Sequence, residues 1–250
     1  MDKNILITGG AQRIGKAIAI YFANKGWNIA LHYNQSKKEA SNLKKKIINL
    51  GVKCWIVQGD LSNEKKTKLV FKNTLKKAVK IDCLINSASI FEDDSIDKIN
   101  FKKWDSHFNV NLKAPAILSG EFAKQKNNKK KNIINIIDQR IFKITPYFLS
   151  YTLSKISLGG LTKILAIKLA PSIRVNAIAP GPVIKNKRQS ESHFKKQYKN
   201  TILKTKVNTS DICKSIDFII ENQSITGVII PVDSGQSMGW KTPDLINVKE

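Results

Sequence analysis

The sequence predicts an α/β fold: a parallel sheet of about seven strands with helices on both faces. Three observations carry this. Short runs rich in Ile, Val and Leu alternate with longer amphipathic stretches, the pattern of strand–helix–strand crossovers, which close in one hand and give parallel strands. A glycine-rich turn follows the first apolar run directly. The length of 250 residues, with 42% apolar and 25% charged content, suits one globular domain over 1–250 and is too apolar for a disordered chain.

The elements follow in order. Asn4–Thr8 reads as the first strand and Arg13–Lys25 as a helix ended by Gly26, a residue suited to helix termination. Asn28–Tyr33 is the second strand, and Lys37–Leu50 a lysine-rich helix stopped at Gly51. Val52–Gln58 is a third strand, followed by a helix over Asn63–Val79 with Ser62 as the expected cap. Ile81–Asn86 is the fourth strand, and one long helix is expected over Phe101–Lys126. A turn at Asn127–Lys131 leads to a fifth strand, Asn132–Ile137, and a helix over Tyr147–Leu169 stops before Pro171. Ile173–Ile178 is the sixth strand, broken by Pro180-Gly181-Pro182. The polar stretch Lys185–Lys206 reads as a flap with a short helix, Asp211–Glu221 as a helix and Gly227–Pro231 as the seventh strand.

Charge and composition narrow the function. The formal net charge is +24, yet only four of the 43 basic residues are arginines: Arg13, Arg140, Arg174 and Arg188. Nucleic-acid readers depend on arginine for bidentate contacts, whereas lysine here is spread over nearly every polar segment. No specific nucleic-acid partner is expected, and weak polyanion binding is a side effect of composition. Lys44–Lys46 and Lys129–Lys131 read as solvated faces or loops. Cys54, Cys83 and Cys213 are odd in number and widely spaced, which argues against a disulfide scaffold. His32, His107 and His193 have no metal-ligand spacing and read as surface or packing residues, so no metal site is expected. No apolar run approaches the roughly 18 residues that span a bilayer, and the start does not read as a secretory signal. A cytoplasmic setting is expected.

The first strand runs into Thr8-Gly9-Gly10-Ala11-Gln12-Arg13-Ile14-Gly15 and opens a helix. Glycines there let a ligand approach the backbone, and the new helix offers free N–H groups, a geometry that binds a diphosphate. Further on come Asp60-Leu61, Asn86-Ser87-Ala88-Ser89, Asn111, Tyr151 with Lys155, and Pro180-Gly181. This ordered set, over nearly the whole chain, resembles the short-chain dehydrogenase/reductase family, whose pattern is TGxxxGxG, D-hydrophobic, NNAG, a helical Asn, YxxxK and PG. The resemblance implies a single-domain Rossmann fold. It implies cofactor contacts at Thr8, Gly9, Gln12, Arg13, Ile14, Gly15, Asn34, Gln35, Ser36, Asp60, Leu61, Asn86, Ser87, Ala88, Pro180 and Gly181. Three departures resemble the pteridine reductase and dihydromonapterin reductase branch: Arg13 at the middle glycine, the NSAS turn over residues 86–89, and Asp138 where the family has serine. Phe91 stands where that branch has an aromatic residue.

Tyr151 and Lys155 share a helix face. A neighbouring ammonium favours the phenolate, so Lys155 is expected to lower the tyrosine pKa and make it an effective acid near pH 7. The resemblance also implies that Lys155 bonds the nicotinamide ribose. Asn111 is expected to hold a relay water, with Asn109 as the fallback. An ionised Asp138 has no proton for a ketone oxyanion; paired with Tyr151 it suits protonation of a ring nitrogen in C=N reduction. Capping the strand end or pairing with Arg140 is its simpler alternative. Phe91 is expected to stack a flat ring or to serve as a core or rim residue. Arg13 is expected to touch cofactor phosphate and ring substrate.

The second strand ends in His32-Tyr33-Asn34-Gln35-Ser36-Lys37-Lys38, with no acid before Glu39 to oppose a 2′-phosphate. NADPH is therefore the expected cofactor and a pterin the expected small-molecule substrate. The alternatives are a general NADPH ketoreductase acting on 3-oxoacyl thioesters or small ketones, and a non-catalytic nucleotide-sensing or RNA-binding protein. The resemblance implies a homotetramer or dimer, with Gly159-Gly160 in a helix that packs on a partner subunit; no membrane association is expected, since no apolar run is long enough to span a bilayer.

Overall fold

The strands are β1 (Asn4–Ile7), β2 (Asn28–Tyr33), β3 (Cys54–Gln58), β4 (Cys83–Asn86), β5 (Lys131–Ile136), β6 (Ile173–Pro180) and β7 (Ile229–Val232). The helices are α1 (Arg13–Asn24), α2 (Lys37–Ile48), α3 (Glu64–Ala78), α4 (Phe101–Phe108), α5 (Ala114–Ala123), α6 (Leu149–Leu169), α7 (Glu191–Lys199) and α8 (Thr209–Glu221). The computed structural model describes residues 3–125, 131–186 and 189–239. All strands are parallel, in the order β3-β2-β1-β4-β5-β6-β7. The chain builds outward from β1 through β2 to β3, then returns to lay β4 on the other side of β1. This doubly wound Rossmann arrangement opens a crevice above the carboxyl ends of β1 and β4.

Successive strand residues face opposite ways. Ile5 and Ile7 join Ile29 and Leu31 in packing on Ile18 and Phe22 of α1, Ile47 of α2 and Ile216 of α8. Leu6, Ala30, Leu84 and Ile133 point to the other face, onto Val70 and Phe71 of α3, Leu118 and Phe122 of α5 and Ala166 of α6. Burial on both faces explains why the strands read as continuous apolar runs. Register pairs Ile7 with both Leu31 and Ile85, so Thr8, His32 and Asn86 emerge level at the crevice floor.

Several boundaries differ from expectation. The long helix is two, α4 and α5, joined by a π-turn at Asn109–Lys113. Pro115 has no N–H for the Asn111 carbonyl four residues before it, which interrupts the regular ladder; Lys126 lies outside the described residues. Asn63, not Ser62, caps α3 by accepting the Lys66 N–H at 3.0 Å, because Ser62 turns back to donate both N–H and hydroxyl to Asp60. α6 starts at Leu149, since Phe148 sits at φ +59°.

The lysine runs also diverge. Lys45 and Lys46 are exposed, but Lys131 opens β5 and is only 2% exposed. Its ammonium donates to the Gln125 carbonyl and lies 5.3 Å from the Phe122 ring centre. Lys129, Lys130 and most of the expected turn fall outside the described residues, as do Lys187 and Arg188. The short helix expected within Lys185–Lys206 is α7, capped by Ser190 and burying Phe194. Among the described residues, no helix is long and apolar enough to cross a membrane, and no group of three or more His, Cys, Asp or Glu is placed to hold a metal ion.

Candidate active site

The crevice has a nucleotide half above β1, β2 and β3. Thr8 donates its N–H to the Ile85 carbonyl at 3.0 Å, and its hydroxyl accepts the amides of Ser87 and Ala88, each at 3.0 Å. The turns after β1 and β4 are thereby stitched together. Gly9 adopts φ +62°, and a Cβ there would lie 2.9 Å from Ala88 Cα, so a side chain has neither the conformation nor the room.

The Gly9 N–H donates to His32 Nδ1 at 3.2 Å and the Gly10 N–H to the His32 carbonyl at 3.0 Å. Since Nδ1 accepts, the ring proton sits on Nε2, which donates to the Gly59 carbonyl at 2.9 Å. Burial pulls the His32 pKa down to about 4, so the ring is neutral near pH 7. Gly9 therefore shapes the cradle without offering its own N–H to a ligand. The amides facing an anion are those of Arg13, Ile14 and Gly15, which open α1 and find no acceptor within the helix. The first turn of α1 carries no acidic residue to compete. A cradle that a Cβ would fill, with unclaimed amides above it, fits a dinucleotide diphosphate.

Other expected contacts line the same rim. Gln12 is an exposed cap. Asn34 and Gln35 are exposed beyond β2, and Ser36 opens α2 without a capping bond from its side chain. The Ser62 N–H and hydroxyl hold the Asp60 carboxyl below its usual pKa, while Leu61 is buried in the core. Asn86 donates to Asn135, which donates to Thr162; Asn86 Oδ1 is left buried without a partner. Pro180 ends β6. Gly181 donates to the Val232 carbonyl, and a Cβ there would lie 2.6 Å from Asp233 Cα.

Arg13 stands at the turn where α1 begins. It sits at φ +52°, the left-handed conformation that favours the glycine it replaces. Its guanidinium donates to the carbonyls of Ile184, at 2.8 Å, and Lys185, at 2.9 Å. These bonds tie the first turn of α1 to the loop after β6.

The catalytic half lies above β4, β5 and β6. Tyr151 and Lys155 stand one turn apart on α6, both buried. The Tyr151 hydroxyl donates to Asp138 Oδ2 at 2.7 Å, and Asp138 Oδ1 accepts the Arg140 N–H at 2.9 Å. Asp138 thus caps the chain after β5 and pairs with the phenol at once. Lys155 Nζ donates to the Ile136 carbonyl at 2.9 Å and lies 5.8 Å from the Tyr151 ring centre.

Three of the four expected catalytic residues come together here, but the phenol is shifted opposite to the expected direction. Burial, followed by the charge and hydrogen bond of Asp138, drives the Tyr151 pKa well above its ordinary value, with only Arg140 opposing. Lys155 is pulled down to about 8 by burial. The carboxylate bonds the phenol directly while the ammonium is engaged by a carbonyl, so Tyr151 keeps its proton throughout the neutral range.

Asn111, fully buried in the π-turn, has every side-chain bond committed. Its Oδ1 accepts the Ser89 hydroxyl and the Ile90 N–H, and its Nδ2 donates to the Ile90 carbonyl and Ser154 Oγ. The side chain clamps the loop after β4 and is spent on protein partners. Asn109, the fallback, caps α4 and accepts the Ala114 N–H.

Sequence reasoning missed the clamp's other members. His107 Nε2 accepts the Glu92 N–H at 3.0 Å, which leaves the ring proton on Nδ1 to donate to Ser150 Oγ at 2.6 Å. Ser150 N–H in turn meets the buried Asp94 carboxylate. Together these bonds hold Phe91 in an aromatic wall. Its ring stacks on Phe148 at 4.3 Å between centres and meets Tyr151 edge-on at 4.5 Å. Arg140 lies 5.0 Å from the Phe148 ring centre. No local pattern marks His107 or Asp94, because their partners are distant in sequence. His32 stood beside a predicted strand end, the one available signal.

Comparison with known proteins agrees with this geometry. Residues 3–196 match the sequence model of the short chain dehydrogenase family. The fold superposes with a TM-score of 0.94 on FolM alternative dihydrofolate reductase 1 from Brucella canis complexed with NADP, at 38% identity over 97% of each chain. The Brucella suis protein, also solved with NADP, gives 0.94 at 39% identity over 97% of this chain and 98% of that one. The 3-oxoacyl-[acyl-carrier-protein] reductase FabG of Staphylococcus epidermidis is 28% identical over 95% of this chain and all of its own. The chain belongs to the short-chain dehydrogenase family.

Proposed function

We propose that the protein is an NADPH-dependent reductase that adds hydride to a C=N bond of a dihydropterin-like ring. The observation that carries this is the 2.7 Å bond from Tyr151 to Asp138. A ketone reductase needs donors around a developing oxyanion, and a carboxylate there opposes that charge. A ring nitrogen instead needs a proton, and a phenol with a raised pKa stays loaded until the nitrogen draws it away. The bound nicotinamide supplies the hydride. Tyr151 gives its proton to the nitrogen, and Asp138, half-buried at the mouth, replaces it with one taken from solvent.

Lys155 keeps an ammonium at the cleft floor for the cofactor ribose. Phe91 and Phe148 present a flat wall to the ring. The segment from Asn34 to Lys38 offers donors and charge, with no acid, to a 2′-phosphate. The NADP held by the two Brucella proteins, and their description as alternative dihydrofolate reductases, support the same assignment. Lys185–Lys206 is the flap over the substrate, and residues 1–250 form one unit in the cytoplasm. Gly160, exposed beside Ile164 and Ile167 on α6, suits packing against a second copy in a dimer or tetramer.

The staphylococcal relatives favour a second reading, reduction of 3-oxoacyl thioesters. Asp138→Ser separates the two. On the pterin reading, NADPH oxidation with a dihydropterin falls about 100-fold in the variant, within the usual range for a lost proton-transfer group, while activity on an acetoacetyl thioester rises. Wild-type turnover confined to keto-thioesters would reverse the assignment.

A further inference from the structure

We propose that His32 is a positioning residue of the dinucleotide cradle, fixing the diphosphate turn by accepting the Gly9 N–H. The inference rests on the NADPH reading above but is independent of the substrate. The imidazole, 2% exposed, joins three strand ends: it belongs to β2, takes the Gly9 amide beyond β1 and gives its Nε2–H to the Gly59 carbonyl beyond β3. Both partners are glycines without room for a side chain. A Cβ on Gly9 would press on Ala88, and one on Gly59 would overlap Val70.

The backbone of β2 completes the arrangement. The His32 carbonyl accepts the Gly10 N–H, and the Tyr33 carbonyl accepts the Gly59 N–H. One residue therefore sets the spacing between the diphosphate turn and the Gly59–Asp60 turn. Because it takes the Gly9 N–H, the bound anion is left to the amides opening α1. With no acceptor there, the half-buried Gly9 N–H would be unpaired, and a turn at φ +62° would relax to satisfy it.

Two substitutions divide the ring's bonds. Asparagine places its amide oxygen where Nδ1 stands and keeps the Gly9 acceptor; glutamine reaches the Nε2 position and keeps only the Gly59 donor. In the full-length protein, with binding followed by NADPH fluorescence, His32→Gln should weaken NADPH about tenfold, the scale of one unpaired amide. His32→Asn should stay within about threefold of wild type on the same scale. The loss should appear in KM for NADPH and not in kcat at saturation.

Equal behaviour of the two variants would overturn the proposal. Should either fail to fold, ¹⁵N-histidine NMR of the wild type still decides. The chain has three histidines, and His32 should appear as the neutral Nε2–H tautomer at pH 5.5; an Nδ1–H tautomer or an imidazolium there overturns it. Wild-type protein that binds no NADPH at all would instead remove the cofactor reading while leaving the tautomer to be observed.

Discussion

The nucleotide and catalytic halves of the crevice are each organised around a buried neutral histidine, and the two rings carry their proton on opposite nitrogens. His32 is the Nε2–H tautomer because its Nδ1 accepts the Gly9 amide; His107 is the Nδ1–H tautomer because its Nε2 accepts the Glu92 amide. In the first half the ring links strand ends that parallel pairing has already set level. In the second it links a loop to the start of α6, neither of which is held by the sheet. The nucleotide half is thus a rigid floor with one added brace. The catalytic half is a wall assembled from side-chain bonds, where substrate selectivity has room to vary without disturbing the floor.

The largest test of this division removes the phenol. Tyr151→Phe deletes the proton donor and its bond to Asp138 while leaving the aromatic wall and the glycine turn in place. Turnover should fall about 1,000-fold, a typical worth for a general acid, with NADPH affinity within about twofold, since the floor is untouched. Loss of NADPH binding in this variant would show that the halves are not separable. Wild-type protein without turnover on any pterin or ketone would instead favour a nucleotide sensor.

Acid should weaken both braces. His32 has a folded pKa of about 4 against an ordinary 6.5, and His107 is shifted in the same direction by burial. Between those values the unfolded chain holds a proton that the folded chain refuses. Stability is therefore full above about pH 6.5 and declines as pH falls toward 4, with His32 alone contributing a loss of about 2 kcal/mol by pH 5. Asp60, whose pKa is lowered from the carboxylate value of 3.8, loses its contribution only below this window. Urea midpoints at pH 7.5 and pH 5 measure the effect, and His32→Asn should flatten it. An unchanged slope in that variant would place the acid sensitivity elsewhere.

The same division explains what was legible in the sequence. The expected bounds of β2, Asn28–Tyr33, match the observed ones, because a strand buried on both faces shows an apolar centre, here Ile29-Ala30-Leu31. The glycine turn was legible because Gly9 and Gly15 answer to local geometry. Tyr151, Lys155 and Asp138 were found through a motif, but the direction of the tyrosine pKa was not. It depends on where Lys155 points, and the Ile136 carbonyl decides that. Phe148 at positive φ and the π-turn carrying Asn111 were hidden for the same reason. Their conformations are fixed by partners 20 to 60 residues away in the chain, such as Ser154 to Asn111 and Ser150 to Asp94, and no short window contains both ends.

The smallest effect expected is also the sharpest on the comparison. His107→Asn keeps an acceptor or donor for Ser150 at the Nδ1 position but withdraws the acceptor from the Glu92 N–H. The loop that carries Phe91 then loses one of its clamps, while Asn111 and Asp94 still hold its two ends. The aromatic wall loosens without collapsing, so KM for the ring substrate should rise up to about tenfold, the worth of one buried hydrogen bond. NADPH affinity should stay within about twofold, because none of the bonds around Gly9 is involved. This is the mirror image of His32→Gln, which should move the cofactor constant and spare the substrate constant. Steady-state kinetics on both variants reads the two constants side by side. If each variant moved both constants together, the floor and the wall would be one cooperative unit, and the separation drawn from the opposite tautomers would fail.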